Sequence, residues 1–286
     1  MRFFYILNCL VFLICLDATN VYAQKSKKPK KSKAPKVADI DLSHWKVTLP
    51  IGDPIEVEPP EIHDYANNKV LKPFMHNDST DGSIVFYCYP AKTTRNTKYS
   101  RTELREQMVP GSNHTNWTFK EGGHLKATMS VPDVSKGADG KFHRTIIMQI
   151  HGRLTNEQRD LIGEDDNNAP PILKIYWDKG KIRVKTKVLK DPKAPDEEIL
   201  STDAWTDDAG YNFETPVDHK KFTLEVIASD GRLEVKLNGF QKAVYKGKHI
   251  ERWGIFENYF KVGNYLNTRD KGAYAKVKLY DLEVNH

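Results

Sequence analysis

From residue 40 onward, hydrophobic and polar residues alternate in short runs, a period of two that marks half-buried β-strands. The pattern is plain in Lys181-Ile182-Arg183-Val184-Lys185-Thr186-Lys187-Val188 and in Arg232-Leu233-Glu234-Val235-Lys236-Leu237. Between runs stand Asp139-Gly140, Asp178-Lys179-Gly180, Asp230-Gly231 and Asn238-Gly239, residues that tolerate the positive φ of tight turns. Hairpins follow, and with them antiparallel sheets. No long stretch carries the helical period, and no strand–helix alternation suggests a parallel sheet. About a dozen strands in one unit of roughly 250 residues predict an all-β, two-sheet antiparallel sandwich. Residues 152–171 and 190–216, rich in Asp, Asn and Pro, are expected to be irregular loops and candidate lids over a groove.

The first residues depart from this pattern. Arg2 precedes an apolar run over residues 3–16, and Val21-Tyr22-Ala23 has the small-residue spacing read by signal peptidase. That run is shorter than the roughly 20 residues needed to span a bilayer. Residues 1–23 are therefore expected to be a cleavable signal peptide, the protein secreted, and no transmembrane segment present. Residues 24–36, with seven lysines and two prolines, are expected to form a disordered linker ahead of a single domain over residues 37–286.

That linker changes the meaning of the net charge. Arg2 and Asp17 cancel and the seven lysines exceed the whole-chain +6, so residues 37–286 carry a net charge of about −1. A domain of that charge can bind a polyanion only by concentrating its cations locally. Nucleic acid is not an expected partner for a chain with a secretory leader. Of the three cysteines only Cys88 lies beyond the leader. It sits in Ser83-Ile84-Val85-Phe86-Tyr87-Cys88-Tyr89, which reads as a buried strand, so core packing rather than nucleophilic chemistry is expected of it.

Three strands pair an apolar face with a chemically rich one. In Arg101-Thr102-Glu103-Leu104-Arg105 the period of two puts Arg101, Glu103 and Arg105 together, the guanidinium groups ~13 Å apart with a carboxylate between to hold them. In Thr145-Ile146-Ile147-Met148-Gln149-Ile150-His151, the residues Ile146, Met148 and Ile150 are expected on one face and Gln149 and His151 on the other. In Tyr259-Phe260-Lys261-Val262-Gly263-Asn264-Tyr265-Leu266-Asn267, residues Tyr259, Lys261, Gly263, Tyr265 and Asn267 share a face opposite Phe260, Val262 and Leu266. Taken singly, these strands also read as a surface ion-pair row, a structural histidine and an aromatic outer face. Together they supply arginines for acidic groups, an amide donor, an imidazole of reference pKa near 6.5 and a phenol near 10. That set suits proton abstraction beside a carboxylate. It lacks the assigned carboxylate pair of a glycosidase, metal-ligand spacing, a nucleophile elbow and a phosphate-binding loop.

At these residues, together with Leu42-Ser43-His44-Trp45-Lys46-Val47-Thr48-Leu49-Pro50, the chain resembles the alginate lyases of polysaccharide lyase family seven. The likeness covers residues 40–286 with its motifs in family order. It implies a β-jelly roll whose concave sheet binds an acidic polysaccharide, alginate, and cleaves it by β-elimination without cofactor or metal. Carried over by motif, His151 would be the general base and Tyr265 the general acid, with Gln149 and Arg105 or Arg101 neutralising the substrate carboxylate. Glu103, Lys261, Tyr259 and Asn267 would contact the polymer. Val262 and Asn267 depart from the alanine and glutamine many relatives carry; Asn267 is shorter by a methylene and puts one substrate contact in question. Ile150, between Gln149 and His151, is associated in relatives with guluronate-containing substrates. A monomer is expected. A lyase of another polyuronate such as glucuronan, and a non-catalytic carbohydrate-binding jelly roll, are the competing readings.

Overall fold

The computed structural model describes residues 36–286. The expected leader and all of the lysine-rich stretch but its last residue lie outside the described residues.

The strands run in chain order as β1 (Trp45–Leu49), β2 (Ile55–Val57), β3 (Met75–Asp78), β4 (Ser83–Cys88), β5 (Arg101–Glu106) and β6 (Trp117–Thr118). They continue as β7 (Gly123–Val134), β8 (Thr145–Arg153), β9 (Asn168–Asp178), β10 (Lys181–Leu189), β11 (Trp205–Asp207) and β12 (Tyr211–Asn212). The last five are β13 (Phe222–Ser229), β14 (Arg232–Leu237), β15 (Gln241–Lys246), β16 (Glu257–Leu266) and β17 (Ala275–Asn285). One sheet follows the order β11-β10-β9-β8-β16-β5-β1-β2, with β12 added to β10 and β6 to β16; the other follows β15-β14-β13-β7-β17-β4-β3. Every pairing is antiparallel, as the turn residues predict. The turns between β9 and β10 and between β14 and β15 use the expected positive φ at Lys179 and Gly180 and at Asn238 and Gly239.

The inner faces of both sheets build one core. Phe260, Val262 and Leu266 of β16 point into it, as do Leu224 and Val226 of β13. The Trp117 and Phe260 rings pack with centroids 4.8 Å apart. Burying a side chain such as Phe260 contributes about 1.5–3 kcal/mol, which fixes β16 rotationally and turns its alternate residues to the other side. Gly263 is needed by the fold: at φ +147 its absent side chain leaves room for Thr102 O and Glu103 Cα of β5, which a Cβ would meet at 2.7 and 2.8 Å. The close approach this glycine permits is that of the neighbouring β5 backbone. Cys88 is fully buried, and burial pushes its thiol up to about 12, which makes it inert as a nucleophile.

Two sequence expectations are corrected. Residues 152–171 and 190–216 are not wholly irregular: they contain α1 (Asn156–Ile162) and α2 (Asp196–Ile199), parts of β8 and β9, and β11 and β12. A third helix, α3 (Lys248–Trp253), precedes β16. These helices are too short to show a 3.6-residue period; α1 is set instead by its ends, a Thr155–Gln158 capping box and Gly163 in the left-handed conformation. Second, Ile146 does not join Met148 and Ile150 in the core. The β8–β9 register shifts between Ile146 and Met148, so Ile147 is an extra residue and takes the core position. A β-bulge reverses the alternation beyond it, and Ile146 lines the opposite, groove face.

Candidate active site

On the face of the larger sheet turned away from the core, β5, β16 and β8 lie side by side. Register alone brings their polar residues together: Lys261 is opposite Arg105 on one side and Gln149 on the other, Tyr265 is opposite Arg101, and Tyr259 is opposite His151. Arg101, Gln149, His151, Lys261, Tyr265 and Asn267 all line one cavity of about 340 Å³. Tyr259 and Arg105 line the cavity next to it, which shares Arg101 and Lys261 with the first.

His151 is held ready to accept a proton. Its Nδ1 lies 3.0 Å from the Gly152 carbonyl oxygen, which can only accept, so in the neutral ring Nδ1 carries the hydrogen and Nε2 the lone pair. The ring stacks on Tyr259 at 5.2 Å and 15°. Burial, and then the positive charge of Lys261, push its pKa down to about 3. The imidazole is therefore neutral at ordinary pH. Gly152 follows from packing: a Cβ there would stand 2.8 Å from Trp253 and 2.9 Å from Pro170 O.

Tyr265 has the complementary state. Burial raises its phenol pKa, so it keeps its proton, and its oxygen accepts from the Tyr99 backbone N–H at 3.3 Å. Its hydroxyl hydrogen remains free to be given away.

Glu103 is fully buried and lines neither cavity. Rather than holding the two arginines, as its place between them suggested, it accepts from Gln149 Nε2 at 2.6 Å and pairs with Lys261 at 2.5 Å. The expected direct contact with polymer is thus replaced by a supporting one. One Gln149 N–H is taken by Glu103, leaving the other for a ligand. Burial lowers the Lys261 ammonium to about 8 against the opposing pull of Glu103.

The two arginines differ. Arg105 lies over the Tyr259 ring at 4.1 Å and donates to Glu106 O at 2.7 Å and Asn116 Oδ1 at 2.9 Å. Arg101 donates to Thr97 Oγ1, while its buried Nε has no partner, and it alone of the pair shares the cavity of Gln149, His151 and Tyr265. Asn267 lines that cavity while accepting from Arg144 Nε at 2.5 Å. The candidate lid of residues 152–171 does meet the loop before β5: Arg95 pairs with Asp165 at 2.8 Å and Asn96 donates to Asp166 at 2.6 Å.

Sequence reasoning missed Arg144, Lys174, Tyr176 and Asp207, which also line the first cavity. The signal was present for two of them, since Lys174 and Tyr176 alternate with Leu173, Ile175 and Trp177 in β9 as reactive residues do elsewhere. Five cations, Lys98, Arg101, Arg144, Lys174 and Lys261, face a single carboxylate among the lining residues. The local concentration of positive charge demanded by a near-neutral domain is therefore found here.

A family model described as alginate lyase matches residues 40–286. An alginate lyase from Klebsiella pneumoniae is 28% identical over 180 residues, 53% of this chain and 52% of that relative. The match thus spans about half the length of this curated relative. Among solved structures, alginate lyase A1-II′ of polysaccharide lyase family 7 is 26% identical with a TM-score of 0.67, over 86% of this chain and 96% of that one. A form of A1-II′ with one histidine changed to asparagine and one tyrosine to phenylalanine, in complex with substrate, is 25% identical with a TM-score of 0.69, over 88% and 97% of the two chains. With the family model spanning the whole two-sheet unit and those structures sharing its architecture, the chain belongs to the alginate lyase family and has the jelly-roll fold of polysaccharide lyase family seven.

Proposed function

We propose that the protein is a secreted enzyme that cleaves the 1,4-glycosidic bonds of alginate by β-elimination. The observation that carries this reading is the pairing of a neutral imidazole with a protonated phenol in one cation-rich cavity. A uronate C5 proton is only weakly acidic. Hydrogen bonds from Gln149 and Arg101 to the C6 carboxylate let the developing carbanion delocalise into it, an electrostatic effect that is commonly the largest catalytic one. His151 Nε2 then takes the C5 proton, the C5 electron pair forms the C4–C5 double bond, and the C4–O bond breaks as Tyr265 protonates the leaving oxygen. Each proton transfer contributes roughly 10²–10⁴-fold. Histidine and tyrosine are also the residue types exchanged in the A1-II′ substrate complex.

Guluronate-containing blocks are the proposed preference. In guluronate the C5 proton and the C4 oxygen lie on opposite faces of the ring, so base and acid must be separate groups, a requirement His151 and Tyr265 meet from different strands. Ile150 is fully buried between Phe260 and Leu173 in register, so any influence it has on block choice passes through the packing of β8. Secretion rests on the leader pattern of residues 1–23.

The test is incubation with polymannuronate, polyguluronate, alternating alginate and glucuronan while the ultraviolet absorbance of the new alkene is followed. Fastest initial release from polyguluronate or alternating alginate is expected. Faster release from polymannuronate overturns the block preference, and release from glucuronan alone overturns the substrate.

A further inference from the structure

The sheet carries a second cationic group beyond the reacting residues. Lys46, Arg105, Lys261, Gln149, Lys174 and Lys185 are successive cross-strand partners on β1, β5, β16, β8, β9 and β10. Antiparallel partners face the same side, so these six side chains form one line across the strands, ~24 Å long at the usual ~4.8 Å strand separation. The line is cationic at every strand but one, and the exception, Gln149, stands at the reacting centre. Strand separation is close to the advance per sugar of an extended 1,4-linked chain, so each strand lies within reach of one sugar of a polyuronate laid along this line, whose carboxylates turn toward the sheet at some sugars and away at others.

At the β9–β10 end the charge is unbalanced. Asp207 accepts from Lys174 at 2.7 and 2.8 Å and pairs with Lys187 at 2.9 Å and with Lys185 at 3.7 Å. Burial would raise the Asp207 carboxyl, but Lys174 and Lys187 hold it down at about 2, so it is ionised and surrounded by three amines. The four side chains are largely but not wholly covered, at 14, 23, 15 and 28% exposure for Lys174, Lys185, Lys187 and Asp207. Asp207 is the last residue of the three-residue strand β11 at the sheet edge, and it lines the same cavity as His151.

We propose that Lys174, Lys185 and Lys187 form a second carboxylate-binding site that takes a uronate of the same polymer some sugars away from the one being cleaved. Asp207 occupies this site as an internal stand-in and competes with the polymer for it. The inference rests on the polyuronate reading above and adds to it a site that only longer chains reach. Binding of this kind is ionic and weakens with salt.

The experiment measures kcat/KM on short and long guluronate oligomers, at low and raised salt, for the wild-type protein and for Lys187→Ala and Asp207→Asn, with circular dichroism confirming each fold. The long-to-short ratio is expected to fall about tenfold in Lys187→Ala, as for loss of one charge-assisted contact. It is expected to rise several-fold in Asp207→Asn, and to shrink with salt in the wild type. Because the two substitutions act in opposite directions, the Asp207→Asn arm decides the matter even where Lys187→Ala does not fold. Active variants with an unchanged ratio overturn this site while leaving the lyase reading intact. A wild-type protein that cleaves no polyuronate overturns both.

Discussion

The two sheets obey the same alternation and share one core, yet their outward faces differ in how charge is balanced. On the seven-stranded sheet the cations meet carboxylates of the same face: Lys278 pairs with Asp78 and Asp81 at 2.6 and 3.0 Å, Lys126 with Glu283 at 3.0 Å and Lys276 with Asp133 at 3.1 Å. On the ten-stranded sheet the central carboxylate, Glu103, is sunk beneath Gln149 and Lys261, and the cations above it outnumber the acids. One face is neutralised by itself. The other keeps an excess of positive charge, and that difference, more than the presence of lysines and arginines, distinguishes the side proposed to bind the polymer.

The comparison breaks most sharply at the proton-transfer pair. His151→Ala and Tyr265→Phe are each expected to lower turnover at least about a hundredfold with the circular dichroism spectrum unchanged. Near-normal turnover in either would remove the assigned role. Glu103→Gln comes next: leaving buried Lys261 without its counter-charge should cost about 3–5 kcal/mol of stability, read by chemical denaturation, and an unaltered midpoint would show that the buried carboxylate is not what holds the site.

The pH profile sharpens the same contrast. His151, depressed to about 3, stays neutral as pH falls through the ordinary histidine range, so the acid limb of kcat/KM should lie well below 6.5. The unfolded chain protonates this histidine below its ordinary pKa of about 6.5 while the folded chain does not, so stability should decline as pH falls from there toward 3. Lys261, lowered to about 8, loses its charge as pH rises through that value, and KM should climb there. An acid limb centred on 6.5 would contradict the buried, neutral imidazole. The smallest effect belongs to the other sheet: Lys276→Ala, which removes an exposed ion pair with Asp133, should cost about 1 kcal/mol or less and leave kcat/KM unaltered.

Much of this was legible in the chain. Period-two alternation and Asp-Gly, Asn-Gly and Lys-Gly turns disclosed the hairpins, and the same alternation sorted Tyr259, Lys261 and Tyr265 from Phe260, Val262 and Leu266. What stayed hidden depends on contacts distant in sequence. Nothing local announces that β16 inserts between β5 and β8, yet this pairing sets Lys261 beside Gln149 and Arg105 and lets Glu103 reach beneath them. The bulge at Ile147 leaves no mark in a run of apolar residues, so the inward placement of Ile146 was misjudged. Nothing local singles out Lys185 and Lys187 on their half-buried strand; it is β11 that brings Asp207 against them and against Lys174.

The measurement that tests the central claim most directly counts new alkenes against new reducing ends as alginate is cut. Elimination by His151 and Tyr265 predicts one C4–C5 double bond for every reducing end released. Reducing ends that appear without matching ultraviolet absorbance would mean that water, not an internal elimination, breaks the bond, and would contradict the account.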